Sequence, residues 1–445
     1  MSTRPGVRRI AELAPLIRTR TLTPMELVTS CLARIDARSE LNTFIAVFRE
    51  EAQRDAERAA AEIAAGRYLG PLHGIPVSIK DLIDMAGVPT TSGSRVPGRV
   101  PATDAPVIRR LRQAGAIIVG KTNLHEFAFG TTSDETAFGP VRHPQAPARS
   151  PGGSSGGSAA AVLDGMCLAS VGTDTGGSVR MPAAACGIVG LKPTFGELSC
   201  DGVVPLSPSL DHVGPMARSV YDTGLLFQAL KGATVQGVAA AGGRLAFGVP
   251  RSYFCERLEP AVRCTLESSI LRLREAGYDV VDLEIDHAAC TPDVYLHIVL
   301  PEASYYHAAA LDAHADKYSP GVRLRLEMGR YVLAEDYLRA LGLREVLGRA
   351  VDAVLDRCDA LLLPTLPIPP PPVGASTVDL DGTPAPVRAA MLRLTQLFNM
   401  SRHPAISLPA GRGPEGLPRS VQLVGRRGRT ERLLDIAAAV EQVLG

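Results

Sequence analysis

Apolar positions recur with helical spacing near the start of the chain. Residues 23–26 (Thr-Pro-Met-Glu) have the form of a capping box with proline at the first helical position. Apolar side chains then follow one or three residues apart, at Leu27, Val28, Cys31, Leu32 and Ile35. A second run, rich in alanine and charged residues, extends from Ala52 to Ala65 and stops at Gly66. These patterns predict a helical N-terminal lead over residues 1–65.

Short apolar runs then alternate with helical patterns. The runs Ile75–Ile79, Ala116–Val119 and Leu168–Val171 predict buried strands, and Val107–Gln113 and Ser158–Leu163 predict the helices between them. Alternation with short connections is typical of an α/β fold. We therefore predict a large mixed, mostly parallel sheet covered by helices, in an α/β/α arrangement.

The second half of the chain offers no convincing boundary between domains. The stretch from Asp293 to Val354 is almost wholly helical in pattern. The proline-rich segment Leu363–Pro372 fits either an interdomain linker or an extended surface segment. Because no repeat is present, we predict one domain over residues 1–445, with residues 66–445 as its core.

Composition and charge exclude several classes of function. The 47 basic and 46 acidic residues nearly balance, which disfavours nucleic acid or an anionic membrane as partner. Nothing resembling a signal peptide or a membrane span is present. Eight scattered cysteines without a C-x-x-C pair indicate reduced core cysteines in a cytoplasmic protein. The nine histidines occur singly, so we expect no metal site and no cofactor.

The strongest chemical signal is a pair of glycine-serine loops preceded by a lysine. The loops span residues 151–158 and 172–178, and Lys80 lies in the apolar run that begins at Gly74. Glycines around a serine let backbone N–H groups converge on one point, as an oxyanion requires. A lysine in apolar surroundings can lose its proton near neutral pH and act as a base. Only five of the basic residues are lysines, which makes Lys80 more notable.

Three other motifs compete with these loops. Residues Gly115–Thr122 match a phosphate-binding loop, but the Ala-Ile-Ile-Val between the glycines favours a strand. G-x-S-x-G occurs around Ser154 and Ser155, yet a proline-rich loop precedes it where a nucleophile elbow needs a strand. No lysine follows a serine by three positions, which excludes the S-x-x-K arrangement.

With Lys80, the two loops resemble the amidase signature family of serine hydrolases. The resemblance extends from Thr23 to Gly425, and its core is residues 151–158, 172–180 and 190–194. It implies a Ser–Ser–Lys triad: Ser178 as nucleophile, Ser154 as bridging serine on a cis peptide, and Lys80 as general base. Lys121 and Lys192 also match family blocks, and for both we favour a structural or surface role.

The residues around the triad have expected roles of their own. The backbone N–H groups that we place in the oxyanion hole are those of Thr175, Gly176, Gly177 and Ser178. We expect Asp174 and Arg180 to brace this loop through an ion pair or hydrogen bonds. The family segment that lines the acyl pocket corresponds to residues 125–132 here. It supplies Phe127, Phe129, Gly130 and Thr131 as substrate-binding candidates, although both phenylalanines fit an ordinary core equally well.

The predicted function is hydrolysis of the C–N bond of a small-molecule amide through an acyl-enzyme on Ser178. Aryl amides and carbamates (urethanes) are possible substrates, with esters as a side activity, and the enzyme would act as a monomer or homodimer. One alternative is the glutaminase-type A subunit of a tRNA-dependent amidotransferase, which works with partner subunits; Met181 replaces the glutamine typical of those subunits. The alternative of another class is a P-loop nucleotide-binding protein that uses Gly115–Thr122.

Overall fold

An eleven-stranded sheet runs through the computed structural model, which describes residues 8–445. Its strands in chain order are β1 (Phe44–Val47), β2 (Pro76–Lys80), β3 (Ile117–Thr122), β4 (Ala169–Asp174), β5 (Val189–Lys192), β6 (His212–Ala217), β7 (Ala246–Pro250), β8 (Asp279–Leu283), β9 (Ala360–Pro364), β12 (Ala405–Arg412) and β13 (Pro418–Val424). Between β9 and β12, a separate hairpin pairs β10 (Thr377–Leu380) with β11 (Thr383–Pro386). In space the sheet order is β1-β3-β2-β4-β6-β5-β12-β13-β9-β7-β8. The predicted α/β fold with a large mixed sheet is confirmed.

The sheet is not mostly parallel, however. Of the ten neighbouring strand pairs in the described part of the sheet, four are parallel: β2 with β3 and β4, and β7 with β8 and β9. The expectation came from the strand–helix alternation between residues 75 and 171, where β3, β2 and β4 are indeed parallel. Elsewhere the neighbouring strands are antiparallel, and between β12 and β13 a short connection returns the chain directly. The expectation of a mostly parallel sheet is therefore wrong.

Helices cover the sheet. They are α1 (Ile10–Arg18), α2 (Pro24–Ala37), α3 (Arg49–Ala64), α4 (Pro106–Gln113), α5 (Gly156–Asp164), α6 (Arg180–Cys186), α7 (Val220–Lys231), α8 (Pro260–Glu275), α9 (Thr291–His314), α10 (Pro320–Gly329), α11 (Ala334–Leu355), α12 (Val387–Leu392), α13 (Leu397–Met400) and α14 (Thr430–Leu444). Strands β2, β3, β4 and β6 are buried along their whole length. Side chains that project from either face of these central strands therefore reach the protein interior.

The N-terminal lead is helical but not purely so. The capping box at the start of α2 forms as predicted: Glu26 N donates to Thr23 Oγ1 at 3.2 Å, and Thr23 N donates to Glu26 Oε2 at 2.8 Å. Residues 44–47 form β1, which pairs antiparallel with β3 at one edge of the sheet. The lead thus contributes a strand to the same sheet as the core. Residues 1–7 of the predicted lead lie outside the described residues.

The proline-rich segment is neither an exposed linker nor a surface segment. Its first residues complete β9, which lies between β13 and β7 in the sheet, and Leu366 and Ile368 beyond it are buried. Arg149 Nη1 donates to Pro370 O at 2.6 Å and Ser150 N donates to Pro371 O at 2.9 Å. Extended proline-rich backbone has no internal hydrogen bonds, so its carbonyl groups are free to accept these bonds. The segment therefore helps to fix the loop that leads to Ser154.

The cysteines are free, and most of them are buried. Cys31, Cys167, Cys186, Cys255 and Cys358 are core residues, whereas Cys264 and Cys290 are exposed. The core prediction therefore fails for these two positions. Among residues 8–445, no helix is both long and apolar enough to cross a membrane.

Candidate active site

Lys80 ends β2 inside the protein, where its side chain is fully buried. Its Nζ lies 2.8 Å from Oγ of Ser154 and 2.8 Å from Oγ1 of Thr173, and no acidic side chain in the described chain forms an ion pair with it. Burial lowers the pKa of Lys80 from 10.5 to about 7, against the opposing fields of Asp174 and Asp211. About half of an amine with this pKa is neutral at pH 7 and so available as a base.

Ser154 is held by the backbone of its own loop. The Gly153–Ser154 peptide bond is cis, as the family resemblance implies. Ser154 O accepts hydrogen bonds from His125 N and from Ser133 Oγ, each at 3.1 Å. A Cβ at Gly153 would lie 2.8 Å from Thr132 N, so only glycine fits beside Ser154. These contacts leave the Ser154 hydroxyl directed at Lys80.

The loop from Thr175 to Ser178 connects β4 to α6, and its N–H groups are free. Within residues 8–445, none of the four backbone N–H groups donates a hydrogen bond to a protein acceptor. Buried N–H groups are normally paired, so four consecutive free ones mark a place built for an external acceptor. Ser178, the last of the four residues, is almost completely buried, with 5% of its surface exposed.

The two glycines of this loop are enclosed by neighbouring side chains. A Cβ at Gly176 would lie 2.5 Å from Oη of Tyr295 and 2.9 Å from Cδ2 of Leu392. Gly177 has a φ of +138° and would clash with Thr395, whose Oγ1 donates to Gly176 O at 2.6 Å. No other residue type fits at either position. The close walls keep the loop backbone near the space where a substrate carbonyl would lie.

Thr175 is fixed from its side-chain end. Its Oγ1 donates to Asp211 Oδ1 at 2.5 Å, and the N–H groups of Leu206 and Ser207 donate to Asp211 Oδ2 at 3.0 and 3.1 Å. Burial raises the pKa of Asp211 to about 7, although these hydrogen bonds act in the opposite direction. Sequence reasoning missed this contact, because nothing in the sequence links this aspartate to a threonine 36 residues earlier.

Asp174 and Arg180 flank the loop and form a fully buried ion pair. Arg180 Nε and Nη2 each lie 3.0 Å from an oxygen of Asp174. Burial would raise the pKa of Asp174, but Arg180 and Asn399 hold it well below its usual value. Arg180 also donates to Asn399 Oδ1 and to Gln422 Oε1, each at 2.6 Å. The structure thus joins the predicted pair and adds Asn399 and Gln422 as partners of Arg180.

Of the four substrate-binding candidates, two line a cavity and two do not. Gly130 and Thr131 line a cavity of about 460 Å³ that is also lined by Arg325 and Arg388. Phe129 is buried, with its ring 5.3 Å from the guanidinium of Arg325, and does not line this cavity.

Phe127 takes up a different position. Its ring packs against His307 and Tyr318, with centroid distances of 4.4 and 5.4 Å. Like Phe129, it does not line the cavity of Gly130 and Thr131. The ordinary-core interpretation describes the surroundings of both phenylalanines better than a pocket wall does.

The segment that matches a phosphate-binding loop is mostly a β-strand in the structure. Residues 117–122 form β3, which pairs with β1 on one side and β2 on the other, so their N–H groups serve the sheet. Lys121 is buried and forms an ion pair with Asp81 at 2.6 Å. Lys192 is also buried, and its Nζ donates to His403 O at 2.6 Å. Neither lysine is on the surface, which leaves the structural role that we favoured.

Comparisons with known proteins agree with this geometry. The model of the Amidase family matches residues 26–434. An amidase of Pseudomonas putida is 38% identical over 97% of this chain and 95% of its own. The A subunit of the glutamyl-tRNA(Gln) amidotransferase of Chloroflexus aurantiacus is 36% identical over 95% of this chain and 93% of its own.

Solved structures show the same relationship. A crystal structure described as an amidase superposes with a TM-score of 0.94 at 37% identity, covering 98% of this chain and all of the other. The matches span the triad positions as well as the whole sheet. The chain therefore belongs to the amidase signature family of amidohydrolases.

Proposed function

We propose that the protein hydrolyses the C–N bond of a small-molecule amide through an acyl-enzyme on Ser178. The observation that carries this proposal is the buried Lys80, whose Nζ lies 2.8 Å from Ser154 Oγ beside a loop with four free N–H groups. A base, a proton relay and an oxyanion site are the parts that acyl transfer by a serine requires.

The proposed steps use these groups in turn. Ser178 Oγ attacks the carbonyl carbon and passes its proton to Ser154, while Ser154 passes its own proton to neutral Lys80. The C=O bond opens, and the resulting oxyanion accepts hydrogen bonds from the N–H groups of residues 175–178. One such donor contributes about 3 kcal/mol to the transition state.

Collapse of this intermediate completes the cycle. The C–N bond breaks as Ser154 returns a proton to the leaving nitrogen, which Lys80 in turn replaces. The amine departs, and water attacks the ester on Ser178 by the same relay to release the acid. Because carbamates (urethanes), aryl amides and esters present the same carbonyl group, we include them in the proposed substrate range.

The proposal also covers the cellular compartment and the oligomeric state. Eight free cysteines fit a reducing compartment such as the cytoplasm. We propose that the enzyme acts as a monomer or homodimer, without partner subunits of a different sequence. The relatives that are named amidotransferase A subunits favour a second candidate, a glutaminase that needs partner chains. Ammonia release from glutamine only in the presence of such partners would establish this second candidate.

Covalent labelling tests the proposed nucleophile. The protein is treated with phenylmethylsulfonyl fluoride or a phosphonofluoridate, and the modified peptide is mapped by mass spectrometry. We expect one adduct, on Ser178, that disappears in Ser178→Ala and persists in Ser39→Ala, a matched change at an exposed serine. An adduct on Ser154 or Ser155 would overturn the assignment, and so would hydrolysis of amides by Ser178→Ala.

A further inference from the structure

Arg388, in α12, is a cation without a protein counter-ion. In the described part of the chain it makes no hydrogen bond and no ion pair, and its Nε is buried. Its guanidinium carbon lies 5.7 Å from the centre of the Phe129 ring, over the face of that ring. Burial lowers the pKa of Arg388 to about 10, so the side chain still carries its charge at neutral pH. Arg388 as a whole is half-buried. A charge partly withdrawn from water without a counter-ion can be stabilised by a ligand that supplies one.

The neighbouring charged groups already have partners. Arg325 Nη2 donates to Glu135 Oε2 at 3.2 Å, and Glu135 also lies 3.2 Å from His125 Nε2. Asp134 Oδ2 accepts from Gly374 N at 3.1 Å. The carboxylates that line the same cavity as Arg388 are therefore engaged elsewhere, and neither forms an ion pair with it.

Arg388 borders two cavities. One is the 460 Å³ cavity of Gly130 and Thr131, and the other, of about 440 Å³, is lined by apolar side chains such as Leu296 and Leu392. Three arginines also line this second cavity, which has no acidic residue in its lining: Arg257, Arg388 and Arg393. Both cavities are large enough for a small organic molecule, and Arg388 adds positive charge to each.

The position of Arg388 is close to the oxyanion loop. Leu392, one helical turn after Arg388, contacts Gly176 together with Tyr295. Leu392 and Arg388 line the same cavity of about 440 Å³. A molecule whose carbonyl group accepts from the loop N–H groups could therefore extend its acyl chain past this wall toward Arg388.

We infer that Arg388 binds a carboxylate on the acyl side of the substrate. This inference rests on the proposed function and narrows it: the preferred substrates are monoamides of short dicarboxylic acids. A guanidinium matches a carboxylate with two parallel hydrogen bonds, and apolar walls around it suit the methylene chain between the two ends. A neutral amide would leave Arg388 unpaired.

Matched substrates test this inference. Ammonia release is measured for succinamic, glutaramic and adipamic acid and for the corresponding diamides, which have the same length without the charge. We expect kcat/KM to favour one of the acids over its diamide by about 10- to 100-fold, the usual gain from a hydrogen bond to a charged group. The length that is preferred reports the distance between Ser178 and Arg388.

Variants assign the preference to this side chain. Arg388→Met should reduce the acid-to-diamide ratio to about one, and Arg388→Lys should retain part of it, because a lysine keeps the charge without the planar fork. Arg323→Met, which removes an exposed arginine paired with Glu327, is the control and should leave the ratio unchanged. An unchanged ratio in Arg388→Met, or no preference in the wild-type protein, would overturn the inference.

A binding measurement separates this inference from the proposed function. In Ser178→Ala, which cannot turn over, calorimetry compares the preferred acid with its diamide. Tighter binding of the acid supports the role of Arg388 even if the variants at that position fold poorly, and equal binding refutes it. If no amide is hydrolysed and Ser178 is not labelled, the proposed function fails. If diamides are hydrolysed as fast as the acids, only the inference about Arg388 fails.

Discussion

Replacing Lys80 with methionine should change how the stability of the protein depends on pH. Methionine fills nearly the same space but cannot carry a proton. The fall in the pKa of Lys80 from 10.5 to about 7 corresponds to about 5 kcal/mol, at ~1.4 kcal/mol per pKa unit. At pH 7 this is the free energy needed to remove the proton from the amine so that it can be buried. It lowers the stability of the folded protein, and a methionine at the same position does not require it.

The direction of this pH dependence follows from the number of protons bound in the folded and the unfolded state. Between pH 7 and 10.5 the unfolded chain holds a proton on Lys80 that the folded protein does not hold. The free energy of unfolding therefore rises with pH across this window. In Lys80→Met this contribution is absent. The wild-type value minus the variant value should rise by about 1.4 kcal/mol per pH unit from pH 7 to pH 10.

Urea unfolding, followed by circular dichroism at closely spaced pH values, measures this difference. Lys231→Met is the control, because Lys231 is partly exposed and its pKa is raised by Glu431. A raised pKa contributes a constant amount below the unfolded value of 10.5, so wild type and this control should give parallel curves. Parallel curves for Lys80→Met as well would refute the conclusion that Lys80 is neutral in the folded protein.

Three other predictions concern the site itself. Ser178→Ala should abolish turnover with an unchanged circular dichroism spectrum. Ser154→Ala should lower kcat by about 10²- to 10⁴-fold through loss of the proton relay. Full activity in either variant would contradict the assigned roles. For the wild-type protein, kcat/KM should rise about tenfold per pH unit below the Lys80 pKa of about 7 and level off above it, and a rate that stays flat down to pH 5 would exclude a neutral amine as base. Arg180→Met should destabilise the protein by about 3–5 kcal/mol, because it leaves the buried Asp174 charge unpaired, and a loss below about 1 kcal/mol in urea unfolding would show that water replaces the guanidinium.

Local structure in this chain could be predicted where short patterns determine it. The capping box before α2 and the strands around residues 76–80 and 117–122 appear as the apolar pattern predicts. The direction of strand pairing could not be predicted in the same way. It depends on whether the intervening chain crosses the sheet or turns back, and the alternation between residues 75 and 171 carries no information about later connections.

The same distinction applies to the candidate site: residues within a specific local pattern could be predicted, whereas partners that folding brings together could not. Lys80, Ser154 and the loop of Ser178 stood out because lysines are rare here and the glycine–serine pattern is specific. The partners Asp211 and Asn399 did not, because nothing in the sequence places them beside this loop, which they contact only after folding. For Phe127 and Phe129, the sequence could not distinguish a pocket wall from ordinary core, because the Phe127 ring contacts His307 and the Phe129 ring lies beside Arg325, both far away in the chain.

The contacts of Arg180 have a consequence for protein synthesis. This side chain joins the loop of Ser178 to Asn399 and Gln422, which the ribosome adds more than 200 residues later. A growing chain that has already emerged past Ser178 still lacks the acceptors that hold the loop in place. Hydrolytic activity should therefore arise only after residue 422 has been added, and chains that end before residue 399 should be inert even though they contain Lys80, Ser154 and Ser178.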